Sequence, residues 1–406
     1  MSQKPYILFV STFYPREDLL QYCQFVHEEA KALLLKGYHI TVINPRTDIK
    51  ESRQWTLDDI PILCLPYHSW RTNYSYLANS YFLFHALRTL GESYFRQFDF
   101  IHVHNCLPEG NALLLLKKAF RLNMPMAVQV HDPNIYKCAY IRLRAAQCIF
   151  KNRCIKLYHE YDYCIGVSNP VSDLIRQGLP DREKQKVLTA YNGYNPAIFN
   201  RFGRTDARSV DSCIRILFVG NLIEWKGIRD LIHGYCQCYS RFSYPTELWI
   251  LGRGILQQEL EDLVHDYHME EHVSFKGYVP AEQVALYMKQ CHIYAMPSTF
   301  EGFGCVYLEA MACGLPCIAC TDQGISEIIE QHDAGILIPP HSLDGLKESL
   351  LTLVNDPDSL NNYVEHINSF ITEHTWNEAV TPIAELYSSS FSAAASSGRG
   401  PESDSL

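Results

Sequence analysis

Glu301, Glu309 and Lys226 are the side chains of this 406-residue sequence whose settings point most directly to chemistry. The glutamates lie in Pro297-Ser-Thr-Phe-Glu301-Gly-Phe-Gly-Cys-Val-Tyr-Leu-Glu309, which continues through Ala-Met-Ala-Cys to Gly314-Leu-Pro316. The preceding apolar run, Cys291–Met296, reads as a buried strand that Pro297-Ser298-Thr299 ends. A helix is expected from about Phe303, closed by Gly314 as its C-terminal cap with Pro316 just beyond. Gly302 and Gly304 then sit where a parallel strand hands over to a helix, the place where open α/β sheets bind ligands. They let the backbone approach a ligand, and the free N–H groups of a helix start favour an anion. On one continuous helix, residues eight positions apart would lie about 80° apart around the axis, so the carboxylates would not share a face. The spacing instead puts Glu301 in the loop and Glu309 in the second turn, leaning back toward the helix start.

This run resembles the Glu-x7-Glu motif of the retaining glycosyltransferases of family 4 (GT4), which have the GT-B fold. The resemblance implies that one carboxylate holds a sugar and the other a ribose diol, with a diphosphate between them. Phe218-Val-Gly220-Asn221-Leu-Ile-Glu-Trp-Lys226-Gly227 looks like the family's strand–loop–helix start. There the Lys226 ammonium would meet the donor's diphosphate and stabilise the leaving group. Asn221 stands where most relatives have Arg, so one cation is missing. Leu248-Trp-Ile-Leu-Gly252-Arg-Gly254 resembles the family's strand ending in Gly-x-Gly near the nucleotide. Phe275-Lys-Gly-Tyr278-Val279 matches the element whose backbone meets the base. The implied donor set is Gly220, Asn221, Gly252, Tyr278, Val279, Gly302, Phe303, Gly304 and Glu309.

Earlier in the chain, Gln129-Val-His131-Asp132 is similar to the family's strand-end histidine, which reaches the transferred sugar. Glu301, Lys226 and His131 are thus the expected catalytic residues. His102-Val-His104-Asn105 reads as ordinary strand-end sequence. Relatives carry a glycine pair between the first strand and helix, whereas here Ser11-Thr12-Phe13-Tyr14-Pro15 contains none. The downstream Phe25-Val-His-Glu resembles members that assemble polysaccharides and capsules. Tyr191-Asn-Gly-Tyr-Asn195 is similar to the signature that closes the first domain, with Asn195 where Asp is usual.

These residues need a scaffold, and the chain alternates strand and helix almost throughout, as parallel sheets covered on both faces require. In the first half, strands are expected at Tyr6–Ser11, His39–Ile43, Ile62–Leu65, Phe100–Val103, Met126–Val130, Tyr163–Val167 and Lys186–Ala190. In the second they fall at Ile214–Val219, Leu248–Leu251, Val273–Phe275, His292–Met296 and Pro316–Ala319. A single helix is expected over Tyr74–Arg96, and others near Leu20–Lys36, Gly110–Leu122 and Tyr140–His159. The expected architecture is α/β, of GT-B type: two doubly wound Rossmann-like domains facing a central cleft. Residues 1–195 form an acceptor-side domain, 196–213 a linker, 214–387 the nucleotide-sugar-binding domain and 388–406 a disordered tail.

Composition narrows the class. Hydrophobic residues make up 47% and charged residues 20%, ordinary for a globular protein. A formal net charge of −10 argues against a nucleic-acid partner. No apolar run approaches the ~18 residues of a membrane span and no signal-peptide pattern opens the sequence, so a cytoplasmic protein is expected. The 15 cysteines fall mostly within apolar patterns and read as reduced and structural; Cys317 and Cys320 would point to opposite faces of a strand. Asp356-Pro357-Asp358 reads as a helix start rather than a metal ligand pair, and no metal or cofactor is expected. Residues 136–159 carry Lys137, Arg142, Arg144, Lys151, Arg153 and Lys156 without an acid until Glu160, interleaved with large apolar residues. Such a stretch suits an anionic acceptor or peripheral association with the inner face of the cell membrane.

The expected function is transfer of a hexosyl unit, with retention and without metal, from a nucleotide diphosphate sugar to a hydroxyl on a lipid-linked or polysaccharide acceptor. A GT-B epimerase or phosphorylase would need an acid–base dyad or a pyridoxal-phosphate lysine pocket, and neither is visible in the sequence. A non-catalytic nucleotide-sugar-binding subunit is the alternative from another class.

Overall fold

The computed structural model describes residues 4–20, 23–70, 76–131, 144–202 and 213–396. The chain divides into two compact units: Met1–Asn192 with Trp376–Leu406, and Gly193–Thr375.

The first unit is built on β1 (Tyr6–Val10), β2 (His39–Arg46), β3 (Arg53–Leu57), β4 (Ile60–Pro66), β5 (Phe100–Val103), β6 (Met126–Val130), β7 (Tyr163–Gly166) and β8 (Val187–Thr189). They form one sheet in the order β3-β4-β2-β1-β5-β6-β7-β8, parallel except for the antiparallel pair β3·β4. The central strands are near-continuous apolar runs because helices cover both faces, and Ile7, Leu8, Phe9 and Val10 are fully buried. Strand β3 was not anticipated. It joins β4 through Asp58-Asp59, both at positive φ (48° and 64°), a tight hairpin turn made without the usual Asn-Gly signal. The helix expected over Tyr74–Arg96 is two helices, Tyr76–Arg88 and Glu92–Arg96, because Gly91 at φ 81° interrupts it.

The second unit has β9 (Ile214–Val219), β10 (Thr246–Leu251), β11 (Val273–Gly277), β12 (Ile293–Ala295), β13 (Cys317–Cys320) and β14 (Gly335–Ile338). Their order is β11-β10-β9-β12-β13-β14, with every pairing parallel. From β9 the chain adds strands in one direction to β11, then starts again beside β9 at β12 and builds the other way. The boundary between β9 and β12 is therefore the switch point of this sheet. Cys317 and Cys320 are buried free thiols in β13. Asp356 caps the helix Pro357–Phe370, accepting from the N–H groups of Asp358 and Ser359 at 3.1 Å each.

The C-terminal segment corrects two expectations. Trp376, Val380, Ile383 and Tyr387 belong to the core of the first unit, so the second unit ends at Thr375 rather than at 387. Their spacing of four, three and four is helical, and one stripe packs beside Ile7, Val42 and Leu33. The helix also runs through the supposed tail: Thr381–Ser396 is continuous. Its serines satisfy themselves and bind the sheet. Ser390 Oγ bonds the Leu386 carbonyl (2.8 Å) and the Tyr163 hydroxyl (3.0 Å), and Ser388 Oγ meets the Tyr38 hydroxyl (2.7 Å). Residues 397–406 and linker residues 203–212 lie outside the described residues.

Candidate active site

At the switch point two loops are stitched together. The loop after β9 carries Lys226 and the loop after β12 carries Glu301. Thr299 N–H and Ser298 Oγ–H both donate to the Trp225 carbonyl, each at 2.9 Å. Gly227 sits at φ 68°, and a Cβ there would lie 2.1 Å from the Pro297 carbonyl oxygen. Only glycine lets the loops approach this closely, and the approach joins the Lys226 ammonium to Glu301 Oε1 in a direct ion pair. Both side chains keep partial exposure, 19% and 12%. The ammonium is thus held by a carboxylate in a partly desolvated setting, with donors left for a phosphate oxygen.

Glu301 is in the loop and the helix Cys305–Ala312 starts two residues later than anticipated, with Gly304 at its N-cap (φ 90°). Glu309 is then in the second turn, half-buried, and Gly314 at φ 82° follows the helix end. Gln323 was missed by sequence reasoning. It is 2% exposed, and its Oε1 accepts the Glu301 N–H at 2.8 Å, fixing the loop from the turn after β13. No local pattern marks it, since its partner lies 22 residues away. Tyr307 donates to the Met296 carbonyl and Tyr294 to the Val219 carbonyl (3.1 Å), so two buried phenols tie the helix to the end of β12 and β12 to β9. Burial raises both phenols well above the ordinary tyrosine range, so they stay protonated donors.

The other expected donor residues collect around β9–β11. A Cβ at Gly252 (φ 135°) would lie 1.8 Å from the Gly220 carbonyl oxygen, so this pair brings the ends of β9 and β10 into contact. Asn221 is exposed and Val279 half-buried. Tyr278 is 48% exposed, with the Arg253 guanidinium 5.0 Å from its ring centre. Gly302 is buried and a Cβ on Gly324 would meet its carbonyl oxygen at 2.1 Å. The Phe303 ring is buried at 2% exposure, so it packs in the core and offers a ligand only its backbone.

In the first unit, the loop after β1 has spent its amides internally. Thr12 N–H donates to Glu109 Oε1 (3.1 Å), Phe13 N–H to Ser11 Oγ (3.0 Å), and Asn44 Nδ2 holds the Ser11 carbonyl (2.8 Å). His131, at the end of β6, is half-buried, and its Nε2 lies 3.0 Å from His104 Nδ1 while its Nδ1 makes no hydrogen bond. His102 and His104, read from sequence as ordinary strand ends, are fully buried beside Glu29 and Gln129. Gln129 Nε2 donates to Glu29 Oε2 (2.8 Å), and His102 Nδ1 meets the Tyr387 hydroxyl (2.5 Å). Burial raises the Glu29 carboxyl to about 8, and it lowers His102 and His131 to about 3 and His104 well below its usual value.

In the basic stretch, Arg142 lies outside the described residues, and of Arg144 only the backbone at the start of the helix Arg144–Glu160 is described. Lys151 is exposed. Arg153 is half-buried and its Nη2 donates to Asn111 Oδ1 at 2.8 Å, so it serves packing within the unit.

Two doubly wound parallel sheets, with a lysine–glutamate pair at the switch point of the second, are the architecture of the GT-B class. The description "Glycosyl transferases group 1" matches residues 205–369 and "Glycosyltransferase Family 4" matches residues 24–198. An uncharacterized glycosyltransferase of Methanocaldococcus jannaschii is 27% identical over 71% of this chain and 75% of its own. The phosphatidyl-myo-inositol mannosyltransferase of Mycolicibacterium smegmatis is 27% identical over 71% of each chain. The solved sucrose-phosphate synthase of Thermosynechococcus elongatus superposes with a TM-score of 0.79 at 19% identity, covering 96% of this chain and all of that one. The chain is a GT4-like glycosyltransferase of the GT-B fold. No described helix is long and apolar enough to cross a membrane.

Proposed function

We propose that the protein transfers a hexosyl unit, with retention, from a nucleotide diphosphate sugar to a hydroxyl on a lipid-linked or polysaccharide acceptor. The observation that carries the reading is the Lys226–Glu301 pair at the junction of β9 and β12. In this reading the Lys226 ammonium and the N-terminus of the helix Cys305–Ala312 take the charge that develops on the departing diphosphate. Glu301 holds the transferred sugar, and Glu309 the ribose. His131 offers its unbonded Nδ1 to a sugar hydroxyl. No side chain needs to act as nucleophile: a phosphate oxygen of the leaving group takes the acceptor's proton as the new bond forms on the same face. Catalysis is then positioning and electrostatics, and no metal or other cofactor is needed at the diphosphate.

The acceptor class is supported by the relative that mannosylates a phosphatidyl-inositol, and by a surface of the first unit. Trp70 (56% exposed), Leu77 (47%) and Tyr81 (55%) lie near Ile149 (65%), linked by ring contacts Trp70–Phe82 and Tyr76–Phe150. Lys151 and Lys156, on the same helix as Ile149, are exposed. We infer that this surface docks reversibly on anionic lipid, with the enzyme then working at the cytoplasmic membrane face.

Incubating the protein with a panel of nucleotide sugars while following its melting temperature tests the donor first, since a ligand that binds only the folded state must raise it. The donor so found, mixed with lipid-diphosphate and oligosaccharide acceptors, should give an α-linked product from an α-linked donor by NMR. Inversion at the anomeric carbon would overturn the retaining mechanism, and donor binding without turnover across acceptors would favour the non-catalytic subunit.

A further inference from the structure

In the first unit, away from the elements that carry Lys226 and Glu301 in the chain, the buried polar cluster of β5 and the helix Gln24–Leu35 supplies no group to the proposed transfer and touches it only where His104 meets His131. Glu29 (1% exposed), His102 and His104 (0%) each hold a buried polar atom with no hydrogen-bond partner: Glu29 Oε1, His102 Nε2 and His104 Nε2. Gln129 Oε1 beside them is in the same state. Leaving such groups unsatisfied in an interior is costly, and native cores rarely do so. We propose that Glu29, His102 and His104 bind a structural divalent transition-metal ion, zinc being the best match to their donor set.

The geometry is close to what an ion requires. One donor atom from each residue can be chosen so that all lie within 4.8 Å of one another; Glu29 Oε1 is 3.9 Å from His104 Nε2, and 4.0 Å from His102 Nδ1, the ring atom that also meets the Tyr387 hydroxyl, so His102 must turn to bring Nε2 to the ion. Donors about 2.0–2.1 Å from a tetrahedral zinc sit roughly 3.4 Å apart, so the pair at 3.9 Å must close by about half an ångström and a pair as wide as 4.8 Å by more than an ångström. The His-x-His spacing along a strand puts both imidazoles on one face. Their rings are stacked, 4.5 Å between centroids and 18° from parallel, so at least one must rotate to converge on the ion.

The surrounding hydrogen bonds have the pattern of outer partners to metal ligands. His131 Nε2 accepting from His104 Nδ1–H leaves the His104 Nε2 lone pair free. Gln129 Nε2–H engages Glu29 Oε2 and leaves Oε1 for the ion. The Tyr387 hydroxyl accepting from His102 Nδ1–H leaves Nε2, and it ties the C-terminal helix to the cluster. Gln129 Oε1 or a water completes four donors. Two imidazoles and one carboxylate favour zinc-like ions over magnesium or calcium, which prefer oxygen alone. This site revises the metal-free expectation for the chain as a whole, while leaving the diphosphate chemistry at Lys226 metal-independent.

The test uses the full chain, purified from zinc-supplemented cells and analysed by plasma mass spectrometry. About one zinc per chain is expected, retained through dialysis against EDTA because the site is closed to solvent. Glu29→Gln and His104→Gln should each reduce this several-fold, while the exposed-site variant His265→Gln keeps it. Should the core variants not fold, the wild type decides: unfolded in EDTA and refolded, it should melt lower without metal and recover with Zn²⁺, and Co²⁺ should give a tetrahedral d–d absorption band. A wild type isolated with far less than one metal per chain, showing no cobalt band and no zinc-dependent melting shift, overturns the proposal. Full metal content in both folded core variants does so equally.

Discussion

At the scale of single residues, the Lys226–Glu301 pair makes a sharp separation of roles. Removing one preorganised charge aimed at a developing anion costs about 10²–10³ in kcat. Lys226→Ala should therefore lower kcat by that order with donor affinity changed less. Lys226→Arg, which keeps the charge but not the shape, should recover part of it. Glu301→Gln should likewise reduce turnover, whereas Glu309→Ala should mainly raise the KM for the donor, since only the ribose end loses a contact. Steady-state kinetics with the donor found by thermal shift separate these outcomes. Unchanged constants in both glutamate variants would remove the site.

At the scale of elements, the site depends on backbone that only glycine can supply. Gly227→Ala meets two obstacles, a left-handed conformation costing roughly 1–2 kcal/mol and the Pro297 carbonyl 2.1 Å from the new methyl. It should separate the two loops and lose activity well beyond its loss of stability, which a melting curve and a kcat measurement together would show. Asp356 belongs to this scale too. As a helix cap, its replacement by Ala should cost about 1 kcal/mol in denaturant unfolding and leave activity intact. Loss of activity in Asp356→Ala, restored by added manganese, would make the Asp-x-Asp a metal site after all.

At the scale of the whole molecule, the chain leaves the first unit at Asn192 and returns to it at Trp376. A chain stopped at residue 375 loses four core side chains, each of which as a large-to-small change would cost about 2–5 kcal/mol. It should fail to give a soluble first unit with a cooperative melt; a truncated protein melting like the full chain would show the return to be dispensable. Lipid docking is also a property of this scale. A basic side chain near an anionic surface contributes about 1 kcal/mol, screened over roughly 8 Å at physiological salt. Co-sedimentation with anionic vesicles at low salt is expected to fall in Lys151→Gln/Lys156→Gln and in Trp70→Ser. Wild type that stays in the supernatant would point to a soluble acceptor.

The sequence alone determined most of the strand order of events, because buried parallel strands write themselves as short apolar runs and the glycine loops between them mark where backbone must turn or approach. Glu301 in its loop, Glu309 in the second helical turn, Gly314 past the helix end and Asp356 at a cap all follow from local rules acting over a few residues. Strand β3 was not legible because its turn, Asp58-Asp59, carries no glycine and only Trp55 and Leu57 of its five residues are apolar, too short an alternation at a sheet edge to stand out. The return of 376–396 to the first unit was equally hidden: the stripe Trp376, Val380, Ile383, Tyr387 says that a helix must bury one face, not which sheet receives it. The same limit governed the chemistry. The sequence placed Lys226 and Glu301 in separate motifs, but only folding, with β9 laid beside β12, made them an ion pair across 75 positions. Glu29 carried no sequence signal, and His102, His104 and Gln129 read only as strand-end residues. Burial in one core left their polar atoms without water, and that alone turned them into a candidate metal site.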